Sequence, residues 1–189
     1  MGIKKSILIL SALMSIIMIF HVHALARNNT PRENSIKAAY IYNFAKLVEW
    51  PETTFDSPDS PILLGILGDD SFIETLMTID NKIASGRAIS IKNYGAVSEI
   101  NQCHILYIGK SEKNNLNTIL KKLQNKPCLT VSNIDGFASR GGMINFILVN
   151  NKVRFEINLQ TTRNSDLKVS SRLLKLATIV GETPGRGGK

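Results

Sequence analysis

The chain has 189 residues, in which 23 lysines and arginines outnumber 15 acids and give a formal net charge of +8. The basic residues are spread along the sequence and form no block interleaved with aromatic residues, which argues against a nucleic-acid-binding protein. After the N-terminal segment, no apolar run reaches the roughly 20 residues of a membrane-spanning helix.

The N-terminus has the pattern of a secretory signal peptide. Two lysines precede an apolar run at 7–20, and the small residues that a signal peptidase reads follow at 24–26. The run is too short to span a bilayer. We therefore predict a cleaved signal peptide at 1–26, a single domain at 27–180 and a disordered tail at 181–189. The alternative is an uncleaved N-terminal anchor.

The exported chain alternates predicted helices with predicted strands. Helices are indicated by apolar residues at helical spacing, and strands by short apolar runs. The predicted elements are a helix at 32–49, a strand at 61–67, a short helix at 71–79, strands at 87–91 and 103–108, a helix at 111–124, a strand at 128–132, two strands within 141–159 and a helix at 171–180. Asp69 or Asp70 is expected to cap the second helix, and Ser111 the third.

This order of elements predicts an α/β domain. Strands separated by helices form parallel sheets, whereas the last two strands are joined by a short turn and must pair antiparallel. We therefore expect a three-layer sandwich, in which helices cover a mostly parallel sheet and a C-terminal antiparallel hairpin lies at the sheet edge.

The stretch 141–159 predicts a hairpin with two different faces. Apolar and polar residues alternate from Val153 to Leu159, and Asn150-Asn151 suits the positive φ angles of a two-residue turn. One face then carries the apolar pairs Leu148–Val153, Phe146–Phe155 and Ile144–Ile157. The other carries Ile147 with Arg154, Asn145 with Glu156, and Met143 with Asn158. Because a fully covered sheet is apolar on both faces, we expect this second face to meet solvent or a partner.

The polar hairpin face is our candidate contact surface for an anionic ligand or a partner protein. Arg154 and Glu156 share this face because they lie two residues apart on one strand, and Asn145 lies across from Glu156. Asn158 lies on the same face, and Arg140 borders it. The alternative is an ordinary surface ion pair, which contributes about a few tenths of a kcal/mol.

Cys103 and Cys128 each open an apolar run that predicts a strand. If the two strands are parallel neighbours, both thiols lie at the same end of the sheet and within bridging distance. Closing the loop between them would contribute roughly 3 kcal/mol to stability. We therefore predict a disulfide, and the alternative is two buried free thiols.

The sequence carries no signature of a common enzyme class. It has no phosphate-binding glycine loop, no GxSxG elbow and no HExxH motif. After cleavage His104 is the single histidine, which excludes a multi-histidine metal site, and we expect no cofactor. His104 adjoins Cys103 on a strand and so points to the opposite face, which argues against a thiol hydrolase. Gly68 and Asp69 end a strand where α/β folds place ligands, which leaves a small-molecule site open there.

Three stretches resemble the YfiR/HmsC family of exported bacterial proteins. They are KAAYIYNFAKLVEWP at 37–51, the span from CHILYIGKSE to LTVSNIDGFASRGGMINF at 103–146, and VRFEINLQTTRNSDLKVSSRLLKLA at 153–177. The resemblance implies a non-enzymatic periplasmic regulator. Such a regulator holds back an inner-membrane diguanylate cyclase by binding its periplasmic sensor region, which keeps cyclic di-GMP and biofilm formation low. A homodimer is also implied. Many members carry a cysteine where this chain has Gly65, so we do not transfer a disulfide pairing from the family.

Three functions follow as hypotheses. The leading one is repression of a diguanylate cyclase, with Asn145, Arg154, Glu156, Asn158 and Arg140 as partner-binding residues. The alternative is a periplasmic sensor of a small molecule, such as a nucleotide or an amino acid, without a cyclase partner. The third is a hydrolase that uses the Cys103 thiol.

Overall fold

The computed structural model describes residues 29–181. The predicted signal peptide at 1–26 lies outside this range, as does the predicted tail beyond Gly181. Within 29–181, none of the helices combines the length and the apolar character that crossing a bilayer requires.

The described chain contains five α-helices and ten strands. The helices are α1 Asn29–Leu47, α2 Ile73–Leu76, α3 Leu116–Leu123, α4 Leu159–Arg163 and α5 Ser171–Leu174. The strands are β1 Val48–Glu49, β2 Ile62–Leu67, β3 Ile83–Ala84, β4 Arg87–Tyr94, β5 Ile105–Ile108, β6 Leu129–Ser132, β7 Ile144–Val149, β8 Lys152–Asn158, β9 Lys168–Val169 and β10 Thr178–Val180.

Eight strands form one mostly parallel sheet in the order β10-β8-β7-β6-β5-β2-β4-β3. The neighbours from β4 to β7 are all parallel, β7 and β8 are antiparallel, and β3 is antiparallel to β4. Strands β1 and β9 form a separate antiparallel pair. The predicted α/β class, with a mostly parallel sheet and a C-terminal hairpin, is confirmed.

The hairpin has the predicted register. Val149 pairs with Lys152 beside the turn. The pairs Leu148–Val153, Ile147–Arg154, Phe146–Phe155 and Asn145–Glu156 follow in that order away from it. Asn150 and Asn151 have φ angles of 50° and 57°, as a two-residue hairpin turn requires. Asparagine tolerates this left-handed backbone better than most residues, so the local sequence was sufficient to define the turn.

The predicted C-terminal helix is wrong beyond Leu174. Residues Thr178–Val180 instead form β10, which pairs parallel to β8, so the hairpin lies near the end of the sheet with one more strand beyond it. Two reasons favour the strand. All three residues of β10 are β-branched, which favours extended backbone. In addition, the outer edge of β8 offers backbone groups that a further strand can pair.

The two faces of the sheet pack against different hydrophobic cores. On one face, Ile41 and Phe44 of α1 pack against Phe155 of the hairpin, with Phe44 and Phe155 in edge-to-face contact at 5.2 Å. On the other, α3 packs against Leu106 and Ile108 of β5. Successive residues of β5 therefore enter opposite cores, which explains why the central strands read as continuous apolar runs.

The predicted disulfide is present. Cys103 and Cys128 precede the neighbouring parallel strands β5 and β6, and their Cα atoms are 5.7 Å apart. Both residues are buried in the core beneath α3. The hydrolase hypothesis required a free thiol at Cys103, so the structure argues against it.

Candidate partner-binding surface

The polar face of the hairpin divides into a buried inner part and an accessible outer part. Asn145 and Asn158 are only 1% and 7% exposed. Arg154 is exposed, and Glu156 is half-buried. The segment 134–140, between β6 and β7, lies against the inner part at Asn158.

Asn158 has a structural role rather than the predicted contact role. Its Nδ2 donates to the carbonyl of Ala138 at 2.9 Å, and its Oδ1 accepts from the backbone N–H of Thr161 at 2.9 Å. It therefore caps α4 and joins that helix to the loop before β7. A partner protein cannot reach this side chain, because the loop that it binds covers it.

Asn145 is also unsuited to direct contact. Its Nδ2 donates to Glu156 Oε2 at 3.1 Å, as the cross-strand pairing of the two residues allows. Its Oδ1 is buried and lacks a hydrogen-bond partner within the described part of the chain. Asn145 thus orients Glu156 from below, and only Glu156 of this pair approaches the surface.

Arg154 is the most accessible of the predicted residues on the hairpin. It is not among the residues that form ion pairs in the described range, so the surface ion pair with Glu156 is not formed. Its Nη1 lies 3.4 Å from the carbonyl of Val153, a long hydrogen bond. The guanidinium can therefore reorient to meet an acidic group on a partner.

Arg140 lies elsewhere. Its Nη2 donates to Asn117 Oδ1 of α3 at 3.1 Å, and it lines a cleft between α3 and α4. Arg154 lines a different cavity, at the far end of the hairpin. The structure therefore separates two arginines that the sequence placed on one surface.

A groove of about 570 Å³ lies between the start of α1 and the end of the hairpin. We call it the hairpin-end groove, and it is lined by Arg32, Glu33, Ile36, Tyr40, Leu148, Asn150, Asn151, Lys152, Val153 and Arg154. Leu148 is 57% exposed and Ile36 is 37% exposed, whereas most apolar residues of the sheet are buried. Sequence reasoning missed the groove because it assigned Leu148 to the core face without knowing where α1 begins.

The hairpin-end groove combines apolar surface with positive charge. Arg32, Lys152 and Arg154 line it, and Glu33, its one acid among the described residues, is paired with Lys37 of the same helix. Tyr40 connects the groove to the core through an edge-to-face contact with Phe155 at 5.0 Å. Protein interfaces typically have an apolar centre, and tyrosine and arginine are common among the residues that contribute most to their binding energy.

The expected small-molecule site near Gly68 and Asp69 is filled by protein groups. The backbone N–H of Asp69 donates to Ser111 Oγ at 2.7 Å, so Ser111 does not cap α3 as predicted. A side chain at Gly68 would begin 2.6 Å from Ser111 Oγ and from Glu112 Cγ. The predicted cap of α2 by Asp69 or Asp70 is also wrong: the N-cap position is Phe72 and no side chain caps it, although Asp70 Oδ1 accepts from the backbone N–H of Phe72 just before the helix.

Asp70 also forms hydrogen bonds with residues at the ends of the neighbouring strands. Its Oδ2 accepts from the hydroxyl of Tyr107 and from Asn133 Nδ2, both at 3.1 Å. Burial, together with the Asp70 charge and hydrogen bond, raises the pKa of Tyr107 far above its usual range, so the phenol stays protonated. This network joins the ends of β2, β5 and β6. Asp70 therefore has a structural role rather than a ligand-binding one.

His104 is bound on both ring nitrogens. Its Nδ1 accepts from the backbone N–H of Leu63 at 2.9 Å, and its Nε2 lies 3.2 Å from the carbonyl of Thr54. The ring stacks on Phe55 with 4.3 Å between centroids. Within residues 29–181, no group of three or more histidines, cysteines or acids is placed to hold a metal ion. His104 therefore has a structural role.

Comparison with known proteins places the chain in a family. A family model described as YfiR/HmsC-like matches residues 34–178, from within α1 to the start of β10. No curated protein matches the chain. The matched range is well over half of the sequence and includes both hydrophobic cores and the hairpin. The chain therefore belongs to the YfiR/HmsC-like family, a family of periplasmic regulators rather than enzymes.

Proposed function

We propose that this protein represses an inner-membrane diguanylate cyclase by binding the periplasmic sensor region of that enzyme. Repression would lower cyclic di-GMP and, with it, biofilm formation. The observation that carries the proposal is the family match over residues 34–178, because the family is known to bind a diguanylate cyclase. The predicted signal peptide supports a periplasmic location.

The proposed mechanism is thermodynamic linkage. Binding stabilises the inactive conformation of the cyclase, and any signal that weakens binding releases it. The regulator needs no catalytic group for this role. It needs only a surface that binds one conformation of the partner more tightly than the other.

We assign partner binding to the hairpin-end groove together with Glu156 of the adjacent face. Leu148 and Ile36 offer apolar contact, and Arg154 and Lys152 offer positive charge at the rim. The complementary partner surface would be an apolar segment flanked by acidic residues. Opposite charges of this kind accelerate association and select the correct partner.

Charge reversal at Arg154 tests the assignment. Because Arg154 is exposed, Arg154→Glu should leave the melting temperature unchanged but weaken binding to the cyclase's periplasmic region by about tenfold or more. Binding is measured by calorimetry on purified proteins under oxidising conditions. Arg163→Glu, an equal charge reversal at an exposed position of α4, is the matched control and should bind as the wild type does. Equal binding by Arg154→Glu and the wild type would remove Arg154 from the interface.

A homodimer is part of the same proposal, since the family resemblance implies one. Sedimentation velocity of the exported protein over a range of concentrations would measure the dimer directly. A monomer at every concentration would contradict this part of the proposal and leave cyclase binding to be tested by itself.

A further inference from the structure

We propose that the cleft between α3 and α4 binds a small organic anion that carries a carboxylate or phosphate group. The cleft has a volume of about 370 Å³, within the roughly 300–1,000 Å³ of small-ligand sites. It is lined by Asn117, Leu120, Lys121, Leu123, Gln124, Asn125, Thr130, Arg140, Gly141, Met143, Thr161, Asn164 and Ser165. None of these residues lines the hairpin-end groove, so this helix cleft is separate from the proposed partner surface.

Within residues 29–181, the helix cleft has positive charge without a compensating acid in its walls. Lys121 of α3 and Arg140 of the turn before β7 are its two charged lining residues in the described structure. The hydrogen bond from Arg140 to Asn117 fixes the guanidinium between the turn and α3. That bond uses one of the five N–H donors of arginine. A fixed guanidinium is suited to bind carboxylate or phosphate oxygens in pairs.

The floor of the cleft adds a buried hydroxyl. Thr130 is 2% exposed, and its Oγ1 accepts from the backbone N–H of Met143 at 3.0 Å. Among the hydrogen bonds of the described chain, the Thr130 hydroxyl acts only as an acceptor, so its proton can be donated to a ligand oxygen. This donor lies at the bottom of the cleft, whereas the two cations are exposed at its walls.

The remaining polar groups also favour an acceptor-rich ligand. The Oδ1 of Asn164, the residue after α4, accepts from Gln160 Nε2, and the NH₂ group of Asn164 can donate to a ligand. Asn117 Oδ1 is likewise occupied by Arg140. Leu120 and Met143 provide a small apolar area for the carbon part of a ligand. A cation would meet no acid here, and a wholly apolar molecule would leave the polar groups without water or partners.

Nuclear magnetic resonance titration of the exported protein tests this proposal. The probes are citrate and glucose 6-phosphate, with glucose as the neutral control and ionic strength held constant with sodium chloride. We expect at least one anionic probe to shift the backbone resonances of Lys121, Gly141 and Thr161 in a saturable manner, and glucose to shift none of them. Arg140→Gln should weaken that binding by about tenfold, because it removes the charged hydrogen bonds.

A matched control separates a site from general attraction of anions to a basic protein. Lys152→Gln removes one positive charge from the hairpin-end groove and should bind the probe as the wild type does. Three results would overturn the proposal: no saturable shift with either anion, unchanged binding by Arg140→Gln, or equal weakening by Lys152→Gln. The measurement does not involve a cyclase, so its failure is distinct from failure of the proposed function.

Discussion

At the scale of single residues, His104 is a buried polar side chain with a structural role. The hydrogen bond from Leu63 N–H to Nδ1 requires an unprotonated nitrogen, so the His104 ring is neutral in the folded protein. Burial lowers the pKa of His104 most strongly; the Thr54 hydrogen bond and Asp56 oppose this, and Arg87 adds to it. The unfolded chain therefore binds a proton at a pH where the folded chain does not.

The sign of the resulting pH dependence is fixed. Because the folded pKa lies below 6.5, the contribution of His104 to stability is complete above that pH and is lost as the pH falls through the folded pKa. We expect the free energy of unfolding, measured with urea, to decrease from about pH 7 to pH 5. In His104→Asn, which does not titrate, the decrease should be smaller, although the variant is less stable at pH 7. An equally steep decrease in both proteins would contradict this role of His104.

At the scale of secondary-structure elements, local sequence patterns predicted the elements that are encoded by local interactions. The register of β7 and β8 followed from an alternating sequence and the Asn150-Asn151 turn, both of which are encoded within the hairpin. Strands β2, β5 and β6 followed from their apolar runs, because central parallel strands are buried on both faces.

Elements defined by long-range contacts could not be predicted from the sequence in this way. Strand β10 requires the edge of β8, which lies about two dozen residues earlier in the chain. The burial of Asn158 depends on the segment 134–140, and an alternating pattern does not reveal which loop will fold over a strand. The hairpin-end groove likewise depends on where α1 begins beside the hairpin.

The disulfide joins two elements and should contribute to global stability. Cys103 and Cys128 are separated by 25 residues and hold together the starts of β5 and β6. We expect replacement of both by alanine to reduce the free energy of unfolding by about 3 kcal/mol, measured with urea. A reducing agent should destabilise the wild type similarly and leave the double variant unaffected. Unchanged stability of the double variant would show that packing alone holds these strands.

At the scale of the whole molecule, two of the cavities in the described structure lie at separate places. The hairpin-end groove lies beside α1 and carries the proposed partner contacts, and the helix cleft lies between α3 and α4. Their lining residues do not overlap, so variants in one should leave the other intact. A regulator built in this way can bind a partner protein and a small molecule at separate places.

The central claim is repression of a diguanylate cyclase, and the most direct measurement is cyclase activity in the presence of this protein. The partner to test is a membrane protein, encoded nearby, that combines a periplasmic segment with a GGDEF-type domain. In vesicles that expose the periplasmic segment, the exported protein should lower the rate of cyclic di-GMP synthesis in a saturable manner, and Arg154→Glu should require about tenfold more protein for the same effect. Synthesis that stays constant at saturating concentrations of the folded, disulfide-bonded protein would contradict the account.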